Sequence, residues 1–322
     1  MTDSFPSHAR SVSMVLLACS WAVATAAVAQ TPVADGAAAA PQPGSVHFLL
    51  PLQPGEFDAV VKPFKPLKFS DEAKALGLFS NISNGVFKPD GNGPFPAIVL
   101  VHSCGGISPP QLRERAKELL DAGYVVLMLD SFGPRNQTNC RNGVIKSPLV
   151  WRDTLDALAH LHTLPVVDKQ NIFQVGYSLG SISAAALSSP SMVEHFGGQY
   201  RFKASVGWYG SCGYQAQASA PNHYFVRTDT DRPLLLLMAE ADRETPIDRF
   251  CFPLLENMKA AGKPVDWHVY GNGVTHAWDV RSGYSLTTSW GEQVVNRFDA
   301  QATADATRRT LAFLKQQQQT AR

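Results

Sequence analysis

The chain predicts a mostly parallel β-sheet covered by helices on both faces, and three observations point to it. Apolar runs over 97–102, 124–130, 234–239 and 265–270 read as buried strands. Helical-period stretches alternate with them, as connections between parallel strands require. Between one strand and one helix lies Gly176-Tyr177-Ser178-Leu179-Gly180. That pentapeptide matches G-x-S-x-G, a weak signal alone and a strong one in a strand-turn-helix setting.

Taken in order, residues 46–52 are a candidate first strand, and Pro54, Pro63 and Pro66 break the segment after it. A strand is expected over 82–88, then a turn at Pro89-Asp90-Gly91-Asn92-Gly93. An amphipathic helix over 111–122 ends at Gly123, and a second, over 149–164, carries Leu155, Leu158 and Leu161 and stops at Pro165. Ile172-Phe173-Gln174-Val175 leads into the pentapeptide, and a small-residue helix comes next over 181–188. A strand at 204–209, a helix over 248–261 ended by Gly262 and a closing helix over 302–315 complete the pattern. Residues 215–232 and 280–296 lack a clear period and are expected to overlie the site. The chain reads as a leader over 30–45, rich in Ala, Pro and Gly, and one domain over 46–322.

The first 29 residues read as an export signal. His8 and Arg10 give a weakly basic start, 12–28 is apolar apart from small polar residues, and Ala27-Val28-Ala29 offers an A-x-A cleavage site. The run is short and rich in Ala and Ser for a membrane anchor. A lipoprotein signal ending at Cys19 is the alternative, but the hydrophobic stretch continues past that residue. Cleavage after Ala29 and a periplasmic or secreted product are expected, with no stable membrane insertion afterwards. It removes one Arg and one Asp, so the formal charge stays at +1. Without a basic stripe or charged tail, no nucleic-acid partner is implied. Cys104, Cys140, Cys212 and Cys251 remain, in a compartment that permits disulfides. No C-x-x-C or H-x-x-x-H spacing supports zinc, and His160 and His162, two apart on a helix, point in different directions. No metal or organic cofactor is expected.

A serine hydroxyl needs a base to take its proton, and the base needs an orienting acid. The turn holds Ser178 at the N-terminal end of a helix, where free N–H groups and the helix dipole favour negative charge. Downstream, the strand over 234–239 runs into Glu240-Ala241-Asp242, and the last strand runs into Gly271-Asn272-Gly273-Val274-Thr275-His276. Ser178, Asp242 and His276 are therefore the candidate catalytic set. Glu240 and Asp248 are alternative acids, and Asp242 is also placed to cap a helix near Thr245-Pro246. His268 lies within a strand and His102 at the loop Ser103-Cys104-Gly105-Gly106, so neither suits the base as well. That loop and the elbow suggest an oxyanion hole from the backbone N–H groups of Leu179 and Cys104. Trp208, Tyr209, Trp278, Phe132 and Tyr284 are candidates to line an acyl or aromatic pocket.

Over about 95–314 the chain resembles the dienelactone hydrolase family, which has the α/β-hydrolase fold. The shared segments are Val175-Gly176-Tyr177-Ser178-Leu179-Gly180, Ser205-Val206-Gly207-Trp208-Tyr209-Gly210 and Thr275-His276-Ala277-Trp278. Asp130-Ser131-Phe132-Gly133-Pro134-Arg135 and Arg308-Arg309-Thr310-Leu311-Ala312-Phe313-Leu314 add to them. The resemblance implies the same triad and oxyanion loop. It departs in two respects: family enzymes named for this activity use cysteine where this chain has Ser178, and a glutamate of their oxyanion loop corresponds to Ser103. Of the arginines that hold a dienelactone carboxylate, the resemblance implies a counterpart in Arg135, whereas Val280 takes the place of the second. The implied topology pairs Cys212 with Cys251 and Cys104 with Cys140; four buried unpaired thiols are the alternative. The expected activity is hydrolysis of a small carboxylic ester or lactone through an acyl-enzyme on Ser178. A short-peptide peptidase or an exported binding protein on the same fold is the alternative.

Overall fold

The computed structural model describes residues 61–62, 64–215, 222–288 and 291–319. The expected signal, leader and first strand over 46–52 lie outside them. In chain order the strands are β1 Val86–Phe87, β2 Phe95–Val101, β3 Val125–Leu129, β4 Val167–Tyr177, β5 Ser205–Trp208, β6 Gly213–Tyr214, β7 His223–Tyr224, β8 Leu234–Ala239, β9 Val265–Tyr270, β10 Tyr284–Thr287 and β11 Gln293–Asn296. The helices are α1 Pro110–Asp121, α2 Ser147–Thr163, α3 Leu179–Leu187, α4 Pro190–His195, α5 Ile247–Phe250, α6 Leu254–Ala260 and α7 Ala300–Gln319. Seven strands form the main sheet in the order β1-β3-β2-β4-β5-β8-β9. β1 runs antiparallel to β3 at one edge, and every other pair is parallel.

The sheet is buried on both faces, which is why its strands are continuously apolar. Along β2, Val99 and Val101 face one core layer and Ile98 and Leu100 the other, all without exposed surface. The first layer is filled from α2, α3, α4 and α6, the second from α1 and α7. Full burial of one such side chain stabilises the fold by roughly 1.5–3 kcal/mol.

Several elements differ from expectation, among them β4, which begins at Val167, and the short helix α4. The strand over 82–88 shrinks to the two residues of β1. The helix over 248–261 is two short helices, α5 and α6. Pro253 lies between them; it has no N–H to donate to a preceding turn, and its ring crowds the carbonyl four residues back. Within 280–296, β10 and β11 form an antiparallel hairpin with Tyr284 opposite Asn296.

What positions the site is the strand order. β3 lies on one side of β2 and β4 on the other. The connections leaving β2 and β4 therefore diverge, and a crevice opens between them at the carboxyl ends of the strands. Both implied disulfides are present, Cys104–Cys140 and Cys212–Cys251.

Candidate active site

Ser178 stands between β4 and α3 with φ 49° and ψ −106°, a conformation that L residues avoid at a cost of order 1–3 kcal/mol. It is held there by its own N–H, which donates to the carbonyl of Trp208 at 2.9 Å, and by its carbonyl, which accepts from Ile182 at 3.0 Å. The flanking glycines have separate reasons. A Cβ on Gly176 would lie 2.0 Å from the carbonyl oxygen of Gly180, and one on Gly180 would lie 2.3 Å from that of Val101. One glycine lets α3 turn back onto β4, and the other lets it press against β2.

Asp242 and His276 arrive from the ends of β8 and β9. The imidazole Nε2 of His276 lies 3.0 Å from Ser178 Oγ, and its Nδ1 lies 2.7 Å from Asp242 Oδ2. Asp242 and His276 are both buried, whereas Ser178 is half-buried and opens to the cleft. The other oxygen of Asp242, Oδ1, accepts the backbone N–H groups of Glu244 at 2.9 Å and Thr245 at 2.7 Å. The turn-capping bonds and the bond to His276 thus coexist on one carboxylate. Thr245 Oγ1 donates to Asp242 Oδ2 at 2.7 Å and also lies 3.3 Å from His276 Nδ1.

Burial alone would push the Asp242 carboxyl up, but His276 and the bonds from Thr245 outweigh it and hold Asp242 below its ordinary range. Burial likewise opposes charge on His276. The carboxylates of Asp242 and Glu244 more than offset it, so His276 titrates above its usual 6.5.

The loop after β2 forms the facing wall. Gly106 donates to the carbonyl of Ser103 at 3.0 Å and has φ +70°, which closes a tight turn over Ser103-Cys104-Gly105-Gly106. Among the described residues, the backbone N–H groups of Cys104 and Leu179 have no hydrogen-bond acceptor. Ser103, Cys104, Ser178, Glu244, His276 and Tyr284 line a cleft of about 520 Å³, within the range of small-molecule sites.

Several sequence expectations need correction. Arg135 does not face the cleft: its guanidinium grips the buried Asp153 through bonds of 2.6 and 2.9 Å and bonds the carbonyl of Ser131 at 2.8 Å. Trp208 is buried with its indole N–H donating to Thr310 Oγ1 at 2.9 Å. Tyr209 is buried with its hydroxyl on Asp279 at 2.7 Å, and Trp278 stacks on Trp208 at 6.0 Å in the same core layer. Phe132 packs against His102 at 4.4 Å, behind the Ser103 loop. Of the five aromatic candidates, only Tyr284 reaches the cleft, donating to Glu244 Oε2 at 2.8 Å. Thr245 and Glu244 were missed. The D-x-x-T spacing from Asp242 to Thr245 is the signal that marks the first of them. Among the described residues no His, Cys, Asp and Glu cluster suits a metal.

A model of the dienelactone hydrolase family matches residues 82–318. Among solved structures, the chain is similar to a candidate dienelactone hydrolase from Klebsiella pneumoniae subsp. pneumoniae, at 18% identity over 71% of this chain and 90% of that one, with a TM-score of 0.56. A butyrate-bound thermophilic esterase from Thermogutta terrifontis aligns at 17% identity over 72% and 87% of the two chains, with a TM-score of 0.53. A dienelactone hydrolase-like promiscuous phosphotriesterase from metagenomic libraries aligns at 19% identity over 70% and 88%, with a TM-score of 0.52. These likenesses bear on the fold. No curated protein matches the chain.

Thr245 gives a test of the acid's support. Thr245→Val removes the hydroxyl that donates to Asp242 Oδ2 but keeps both backbone donors to Oδ1. A lost hydrogen bond to a charged group is worth about 1.5–3 kcal/mol, so kcat on a nitrophenyl ester is expected to fall by roughly tenfold or more. Unchanged kcat would mean that the backbone bonds alone orient Asp242.

Proposed function

The chain belongs to the dienelactone hydrolase family and is a carboxylic ester hydrolase, and on that footing we propose that it cleaves a small ester or lactone through an acyl-enzyme on Ser178. The observation that supports this reading most is the unbroken line of hydrogen bonds from Asp242 Oδ2 to His276 at 2.7 Å and from His276 Nε2 to Ser178 Oγ at 3.0 Å. Asp242 keeps the proton of the neutral ring on Nδ1, which leaves the Nε2 lone pair directed at the hydroxyl.

As Ser178 Oγ attacks the carbonyl carbon, Nε2 takes its proton. The C=O electron pair moves onto oxygen, where the N–H groups of Leu179 and Cys104 receive the developing charge. His276, now doubly protonated, stays paired with Asp242 and gives its Nε2 proton to the departing alkoxide. Water, deprotonated by the same nitrogen, then attacks the acyl carbon and restores Ser178. Serine in place of cysteine suits this scheme, since it never rests as a stable anion and needs no group to restrain a thiolate.

We further propose that residues 1–29 direct export and are removed, giving a periplasmic or secreted enzyme. The support is the weakly basic start, the apolar run and the Ala27-Val28-Ala29 site.

Three outcomes are expected. Ser178→Ala should lower hydrolysis of a short nitrophenyl ester by at least about 10⁴-fold and abolish labelling by a fluorophosphonate; equal activity in both proteins would remove the assignment. For pH, only neutral His276 acts as a base, and its pKa is raised. The acid limb of kcat/KM should therefore lie above the ordinary histidine value of about 6.5, with activity lost as pH falls through it. A limb below that value would contradict the electrostatic account. N-terminal sequencing of the exported protein should begin at Gln30; retention of Met1 there would refute cleavage.

A further inference from the structure

The oxyanion role assigned above to Cys104 depends on where one peptide plane points. The Ser103–Cys104 bond is trans, since the cis bonds of the described residues are Gly93–Pro94 and Phe252–Pro253. In a trans peptide the N–H of Cys104 points opposite to the carbonyl of Ser103. Whatever holds that carbonyl away from the cleft therefore aims the N–H into it.

Two donors hold it. His102 Nδ1 lies 2.7 Å from Ser103 O, and the N–H of Gly106 reaches the same oxygen at 3.0 Å. The His102 ring has no exposed surface. Its Nε2 accepts the backbone N–H of Ser131 at 3.2 Å, which puts the ring's proton on Nδ1, facing the carbonyl. The next peptide plane is fixed from the same side: Cys104 O accepts the N–H of Cys140 at 3.1 Å, and the two residues are joined by a disulfide. Cys140 is fully buried, so the anchor does not move with solvent.

We infer that His102 and Cys140 are positioning residues for the oxyanion hole. They fasten two consecutive carbonyls of the loop to the segment over 131–140 and so leave the Cys104 N–H aimed at the substrate. This rests on the serine-hydrolase reading of the same site. It carries a redox consequence. Cys104 is half-buried and lines the cleft, whereas Cys212 and Cys251 have no exposed surface. A small dithiol such as dithiothreitol meets Cys104–Cys140 first. Its two thiolates displace the sulfurs in turn and close to a cyclic disulfide. Two electrons pass to the protein, and Cys104 and Cys140 each end as a thiol.

The test compares steady-state kinetics of the wild type, Cys104→Ala/Cys140→Ala, His102→Leu, His102→Asn and the control Cys212→Ala/Cys251→Ala. A removed oxyanion donor costs about 10²–10³ in kcat. A misaimed one is expected to cost roughly 10- to 100-fold in kcat with KM within about twofold. His102→Asn, whose amide N–H can reach Ser103 O, should recover part of the loss seen in His102→Leu. The control pair should unfold at lower temperature and keep its kcat. Should a variant fail to fold, wild type treated with dithiothreitol until intact mass shows one opened disulfide should show the same fall in kcat. Unchanged kcat after that opening, with Ser178→Ala still inactive, overturns this inference alone. A raised KM at constant kcat also overturns it, because that marks a binding wall. Hydrolysis that survives Ser178→Ala overturns the serine reading and this inference with it.

Discussion

The hydrogen bond between Asp242 Oδ2 and His276 Nδ1, 2.7 Å long and out of contact with water, sets the demands that the rest of the fold meets. An ionised carboxylate that deep is costly unless every lone pair is used. Oδ1 is satisfied by two backbone N–H groups and Oδ2 by the Thr245 hydroxyl and the imidazole. For the pair to meet, β8 and β9 must be neighbours ending level, and they are, with Ala239 opposite Tyr270. The His276 loop must then cross above β5 to reach the elbow. It is braced from behind, where the carbonyl of Trp278 accepts from Asp299 N–H and Thr303 Oγ1 at the start of α7.

Beside the elbow, β5 and the turn after it give up side chains to let α3 pack close. A Cβ on Gly207 would lie 2.1 Å from Ser181 Oγ, and one on Gly210 would lie 2.4 Å from Ser181 Cβ. Strain gathers around the same point. Ser178, Tyr209 and Ala277 all hold positive φ, which is unfavourable for residues with a Cβ. Each is fixed by neighbours: Ser178 by the Trp208 carbonyl, Tyr209 by the Leu237 carbonyl and Asp279, and Ala277 by the Val280 N–H, which donates to its carbonyl. A packed sheet tolerates such distortion because its core is large relative to the cost.

Much of this was legible in the sequence, and the exceptions have physical reasons. β8 and β9 have the bounds that their apolar runs imply, because proline or polar turn residues close both ends. Ser178, Asp242 and His276 were readable because each lies within six residues of the end of a strand, at the same sheet edge. The β10–β11 hairpin was not, since the β10 side chains alternate only between half-buried and exposed, which leaves little period-2 hydrophobicity. The aromatic residues misled because their types suit a buried core as well as a pocket wall, and Trp208, Tyr209, Trp278 and Phe132 are all buried. Trp208 satisfies its N–H on Thr310, 102 residues away, a partner that no local pattern reveals. Arg135 misled for the same reason, its true partner Asp153 being on the far helix α2. The tie between the Ser103 loop and Cys140 became legible only through family topology.

The central claim is that the imidazole of His276 delivers Ser178 to the substrate carbonyl, with a covalent ester on that oxygen as the intermediate. Acid-quenching the enzyme during turnover of a slow nitrophenyl ester, then mapping the acylated peptide by mass, addresses it directly. The account predicts one acyl group, on the peptide carrying Ser178, appearing before steady state. Acyl found on another residue, or none during sustained turnover, would contradict it.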